Sequence, residues 1–158
     1  MSLERDIRLV GRDPELQRLT ALLDDAGRGR GRAVVVSGPA GIGKSRLVDE
    51  FCALASGHAF AVRRGHALPE TQTLPFALAL DAVGGPAATT PARFDAPDRS
   101  FRPLLDAGAP GATGFVMREQ LLGAFVELTA RPTVIVLEDV HWSDPASQRW
   151  IGGVLDRI

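Results

Sequence analysis

Lysine is almost missing from this chain. Of its 18 Lys and Arg residues only Lys44 is a lysine, so wherever a generic positive charge serves, the sequence uses arginine. Cysteine is just as scarce. One residue, Cys52, excludes an intramolecular disulfide framework and fits a reducing cytosol. Its neighbours give it a buried helix position, where it reads as a small core residue and not a nucleophile. No run approaches the roughly eighteen apolar residues of a membrane span. The N-terminus carries acidic and basic residues in place of an apolar signal core. These absences predict a cytoplasmic protein. Net charge is −1, which removes bulk attraction to nucleic acid. The Arg28, Arg30, Arg32 cluster is short, lacks an aromatic platform and reads as a solvated loop. At 158 residues the chain suits one domain with a real core.

The single lysine stands in Gly38-Pro39-Ala40-Gly41-Ile42-Gly43-Lys44-Ser45, which fits the phosphate-binding pattern G-x-x-x-x-G-K-[ST]. An ammonium is a compact point charge able to reach between the β- and γ-phosphates of a nucleotide, where a planar guanidinium is too wide. The glycines turn the chain sharply and let backbone N–H groups approach anionic oxygens without a Cβ in the way. The N-terminus of the helix that follows favours the same charge. Lys44 would neutralise β/γ charge and the Ser45 hydroxyl would ligate Mg²⁺.

Periodicity places that loop between a strand at 32–37, with Val34, Val35 and Val36 as a buried parallel run, and a helix from Lys44 to about Ser56. Before it, Asp13-Pro14 supplies an N-cap and a first-turn proline for a helix to about Ala26. After it come a strand at 59–64, a short helix around Pro75 to Val83, and a Pro/Gly-rich stretch at 84–112 that reads as a mobile insertion. A helix from about Phe115 to Ala130 stops before Pro132. Thr133 to Leu137 then form a buried strand. Asp144-Pro145 opens a last helix, with Trp150, Ile151, Val154, Leu155 and Ile158 on its apolar face. Strands alternating with helices predict a parallel α/β sheet.

A phosphate loop needs a carboxylate near its Mg²⁺, and in α/β sheets that group comes from the C-terminal edge of a neighbouring strand. The strand at 133–137 delivers Glu138 and Asp139 there. Glu138 could hold Mg²⁺, and Asp139 could orient or deprotonate an attacking water.

Leu-Glu-Asp-Val-His-Trp-Ser-Asp-Pro-Ala-Ser at 137–147 resembles the Walker B signature of STAND-type, AAA-related ATPases. More narrowly, it is similar to that of the ATPase modules of large ATP-binding LuxR-type transcriptional regulators. Leu9-Val10-Gly11-Arg12-Asp13-Pro14-Glu15-Leu16 resembles the opening motif of the same group, which lies near the nucleotide base. The resemblance implies that Gly38, Pro39, Ala40, Gly41, Ile42, Gly43, Lys44 and Ser45 bind ATP. It places Glu138 at the metal-organising acid, often Asp in such proteins, and Asp139 at the second, water-activating acid. Glu138 is one methylene longer, so contact with the metal directly or through water stays open. His141 and Trp142 match a His-Trp pair. His141 could sense the γ-phosphate or simply support the strand end, and Trp142 reads as packing.

The family sheet has five parallel strands in order 5-1-4-3-2, of which three have candidates here. The implied fold is α/β, a partial P-loop NTPase of the ASCE/AAA-like three-layer sandwich type, lacking its C-terminal strands. The strand expected between the two motif strands has no candidate. Those two strands are therefore expected either to pair directly or to leave an unsatisfied edge. On this reading residues 1–158 are the N-terminal part of an ATPase domain whose partners are a nucleotide and downstream domains of a longer protein. Self-association on ATP binding goes with that reading; a membrane or direct nucleic-acid contact does not. The resulting expectation is an ATP-binding, weakly hydrolysing switch module of a bacterial signalling or transcriptional regulator. The alternatives are a non-catalytic fragment and a P-loop kinase of small molecules.

Overall fold

The computed structural model describes residues 11–84 and 113–158. It divides into two compact units, Met1–Ala59 and Phe60–Ile158. The expected insertion at 84–112 lies outside the described residues except for Gly84, which ends a helix.

The first unit contains α1 (Asp13–Gly27) and α2 (Lys44–Gly57), packed on each other. Leu19 and Leu23 of α1 are buried, as are Leu47, Cys52 and Ala55 of α2. Cys52 is thus a small core residue, as its neighbours suggested. The N-cap of α1 is Arg12 and not Asp13; the Arg12 carbonyl accepts the Leu16 N–H at 3.0 Å. Asp13 falls inside the first turn with Glu15, where the helix dipole favours acidic side chains. Beyond α1, Gly29 takes a left-handed φ of 77° and the chain folds back, so that Arg28, Arg30 and Arg32 all face Asp25. The hydrogen bond from Arg30, with the charge of Arg32 beside it, holds the Asp25 carboxyl below its ordinary range.

The strand expected at 32–37 does not form. Residues 30–39 have no regular secondary structure, and Val34, Val35 and Val36 are 51, 89 and 36 % exposed. A strand gains its stability from ladder partners and from apolar faces packed above and below it. Composition supplies the apolar run but not the partners.

The second unit contains β1 (Ala61–His66), α3 (Ala77–Gly84), α4 (Thr113–Leu128), β2 (Thr133–Glu138) and α5 (Pro145–Leu155). Short 3₁₀ turns lie at Pro69–Thr71 and Val140–Trp142. β1 starts two residues later than the alternation suggested. Ala59 is left-handed, with φ of 62°, and its N–H bonds back to Ser56, which closes α2 instead of opening a strand. β1 and β2 are parallel, in a register running from Ala61 opposite Thr133 to His66 opposite Glu138. Among the described residues the sheet has these two strands where three were expected. Of the two alternatives for the motif strands, direct pairing does not occur, because the segment before the phosphate loop forms no strand.

α3 packs on both strands, and α4 and α5 pack on α3. Phe76, Ala79, Ala82, Val83, Leu121, Leu122, Phe125, Ala146 and Trp150 form the core. Phe125 and Trp150 meet edge to face with centroids 6.5 Å apart. A Cβ on Gly65 would lie 2.7 Å from the Ala82 Cβ, so the approach of α3 to β1 requires a glycine there. The last helix stops at Leu155, and Leu155 and Ile158 are about half exposed, outside the face predicted for them.

Candidate functional site

The phosphate-loop residues belong to the first unit, and their backbone has the form the motif demands. Gly41 and Gly43 are left-handed, with φ of 76° and 91°, and a Cβ at either would meet no protein atom within 4 Å. The loop is therefore open on the side a side chain would fill, as a phosphate cradle must be. Gly43 is the N-cap of α2, and its carbonyl accepts the Leu47 N–H at 3.0 Å. α2 has no side-chain cap and no acidic residue in its first turn, so nothing on the helix itself competes for an anion there. Lys44 Nζ donates to the carbonyls of Gly38 at 2.9 Å and Pro39 at 3.0 Å, folding the ammonium over the loop. Ser45 follows in the first turn, exposed. These residues fit a nucleotide triphosphate: backbone donors, one mobile cation and one hydroxyl of the kind that ligates Mg²⁺.

A contact not anticipated from the sequence braces this loop. Arg12 Nη2 donates to the Ile42 carbonyl at 3.1 Å while Nη1 bonds Glu15 at 2.8 Å. The hydrogen bond from Arg12 holds the Glu15 carboxyl below its usual range.

The two acids lie at the end of β2 in the second unit, and each has a partner on or beside β1. Glu138 Oε1 is 3.0 Å from Arg64 Nη1, and Asp139 Oδ2 is 3.2 Å from His66 Nε2. The backbone N–H of His66 in turn donates to Asp81 of α3 at 2.8 Å. Asp139 has a left-handed φ of 51°, which ends the strand and starts the 3₁₀ turn through the Trp142 N–H to the Asp139 carbonyl. His141 and Trp142 stack obliquely at 5.0 Å, and both are exposed, Trp142 by 38 %. Trp142 is therefore not the packing residue expected. The motif continues into Asp144, whose Oδ1 accepts the N–H groups of Ala146, Ser147 and, across to the start of α3, Phe76. Ser147 Oγ accepts the Ala79 N–H at 3.2 Å. Burial pushes the Asp144 carboxyl up, but the Ser147 hydroxyl and the N–H groups of Ser147, Phe76 and Ala146 outweigh it and hold the carboxyl below its ordinary value.

Sequence reasoning missed Arg64, His66 and Asp81. Arg64 and His66 share one face of β1, two residues apart; the register sets Arg64 opposite Val136 and His66 opposite Glu138, and each side chain reaches an acid further along, Glu138 and Asp139. Among the described residues no cluster of three or more His, Cys, Asp or Glu could hold a metal ion by itself. A metal here would thus draw on the nucleotide as well as on protein side chains.

Residues 8–157 match the AAA ATPase domain family. The chain belongs to that family. As an AAA ATPase domain it carries a nucleotide-binding module, of a kind that typically works with Mg²⁺. It is also similar to an uncharacterized protein of Rhizobium meliloti (strain 1021), 31 % identical over an alignment taking in 91 % of this chain and 17 % of that protein. The chain thus spans under a fifth of the length of that relative. No solved structure matches it. No helix among the described residues is long and apolar enough to cross a membrane.

Proposed function

We propose that this AAA ATPase domain binds Mg·ATP at Gly38–Ser45 and serves as the nucleotide switch of a bacterial signalling or transcriptional regulator similar to the large ATP-binding LuxR-type proteins. The observation that carries the reading is the loop itself: left-handed Gly41 and Gly43, an uncapped helix start and the sole lysine of the chain at one turn. The great length of the Rhizobium relative supports a role in which nucleotide biases the arrangement of further domains.

In this reading the backbone N–H groups of the loop bind phosphate oxygens, and Lys44 leaves the Gly38 and Pro39 carbonyls to neutralise β/γ charge. Ser45 would ligate Mg²⁺, which when bound draws charge off the γ-phosphate, and Glu138 is the acid that the Walker B resemblance assigns to the metal. Asp139 accepts the proton of the attacking water. A calorimetric titration of Mg·ATP tests the binding step. Lys44→Ala is expected to weaken affinity about 10–100-fold with an unchanged circular dichroism spectrum. Equal binding by both proteins, or none by the wild type, refutes it.

A second reading, binding without turnover, is favoured by the pairing of Glu138 with Arg64 and of Asp139 with His66. A carboxylate oxygen that already holds a side-chain partner is occupied, so an attacking water must displace that partner to reach it. If the switch hydrolyses, His66→Ala is expected to raise phosphate release from ATP without changing ATP affinity. No release from either protein selects the second reading.

A further inference from the structure

We infer that Arg12 is a positioning residue for the phosphate loop, holding the Ile42–Gly43 peptide in its binding orientation when Lys44 turns to the nucleotide; this rests on the nucleotide-binding reading above. Two side chains tether the loop. Lys44 Nζ bonds the carbonyls of Gly38 and Pro39, and Arg12 Nη2 bonds the carbonyl of Ile42 at 3.1 Å. The lysine tethers are lost when its ammonium goes to phosphate, because the same donors are needed there. The Arg12 tether uses no group that the nucleotide needs.

Its effect on the loop follows from peptide geometry. In a trans peptide the C=O and N–H point to opposite sides, so fixing the Ile42 carbonyl on the guanidinium fixes the Gly43 N–H away from it. Gly41 and Gly43, both left-handed, would otherwise lose the most conformational freedom on ordering around an anion. Arg12 removes part of that cost beforehand. Its own position is determined on both sides. Its backbone is the N-cap of α1, and α1, whose Leu19 and Leu23 are buried, packs on α2. Its other terminal nitrogen bonds Glu15 at 2.8 Å, which sets the plane of the guanidinium. A lysine at this position could satisfy either acceptor but has no planar fork to bridge the two.

The test uses residues 1–158 as wild type, Arg12→Ala and Glu15→Gln. Backbone ¹⁵N relaxation of the nucleotide-free proteins is read beside Mg·ATP calorimetry. In Arg12→Ala the order parameters of Gly41 and Gly43 are expected to fall below about 0.6, while those of α1 and α2 stay near about 0.85. Mg·ATP affinity falls about tenfold. Glu15→Gln gives smaller changes in the same direction, and it carries the test if Arg12→Ala does not fold. Unchanged order parameters in the loop overturn the proposal. So does a loss spread through α1 and α2, which would make Arg12 a general structural residue. A wild type that binds no ATP refutes the nucleotide reading, while the relaxation data still decide whether Arg12 orders the loop.

Discussion

The carboxylate of Asp144 accepts N–H groups from the starts of two helices, Ala146 and Ser147 in α5 and Phe76 just ahead of α3. Phe76 is itself left-handed, with φ of 63°, a conformation that a bulky residue holds only when its surroundings fix it. Removing the carboxylate strands three donors at a buried site. Asp144→Ala is expected to cost about 3 kcal/mol in urea unfolding at pH 7, and Asp144→Asn, which keeps an acceptor, about 1 kcal/mol. The pH dependence has a definite sign. The folded pKa is depressed, so the stabilisation is complete above the unfolded aspartate value of about 3.9 and disappears as pH falls through the lower folded value. Unfolding measured at pH 7 and near pH 3 should therefore show the wild type losing its advantage over Asp144→Asn. The Asp144-Pro145 pair was legible as a cap because the cap is local. That the same oxygen also holds Phe76 was not, since that contact joins residues distant in sequence.

At the scale of elements, the tightest approach at any described glycine is that of α3 to β1 at Gly65. An added methyl would sit 2.7 Å from the Ala82 Cβ and 2.9 Å from the Ala82 backbone nitrogen. Gly65→Ala is expected to destabilise by about 1–3 kcal/mol in thermal unfolding, since the backbone of α3 must move. Ala82→Gly should recover only part of this, because the nitrogen remains and a helical glycine costs about 1 kcal/mol. The four longer helices were legible from the 3.6-residue spacing of their apolar residues and from their caps, with ends misplaced by a few residues. Cys52 was placed correctly by the same pattern. The phosphate-loop strand was not legible as absent. Val34 to Val36 have the composition of a buried strand, and periodicity says nothing of whether a neighbour exists to pair with it. The candidate site divides in the same way. The loop residues and the two acids are candidates on residue type and spacing alone, which is where their chemistry is carried. The pairing of Arg64 and His66 with those acids depends on how two strands distant in sequence are aligned and on how far each side chain reaches along them, which no local pattern encodes.

On the whole molecule, the exposed valines form an apolar run of the kind that associates between copies. Val35, at 89 % exposure, contributes little to either unit's core. Val35→Asp is expected to leave the unfolding midpoint nearly unchanged, with stability altered by under about 0.5 kcal/mol, and to reduce self-association at high protein concentration in static light scattering. A substantial loss of stability would show that the run is covered in solution. The β1–β2 ladder has a different consequence, in the time the chain takes to fold. Every rung joins residues far apart in sequence, Ala61 with Thr133 and His66 with Glu138. Entropy must be lost to close that span before any rung is gained, which is the hallmark of slow folding. Each helix can form from local contacts, but the ends that hold Arg64 beside Glu138 and His66 beside Asp139 come together only when the ladder closes. The two pairs of acid and partner therefore depend on a closure that spans most of the second unit, and a chain in which that ladder has not closed has the acids without their partners.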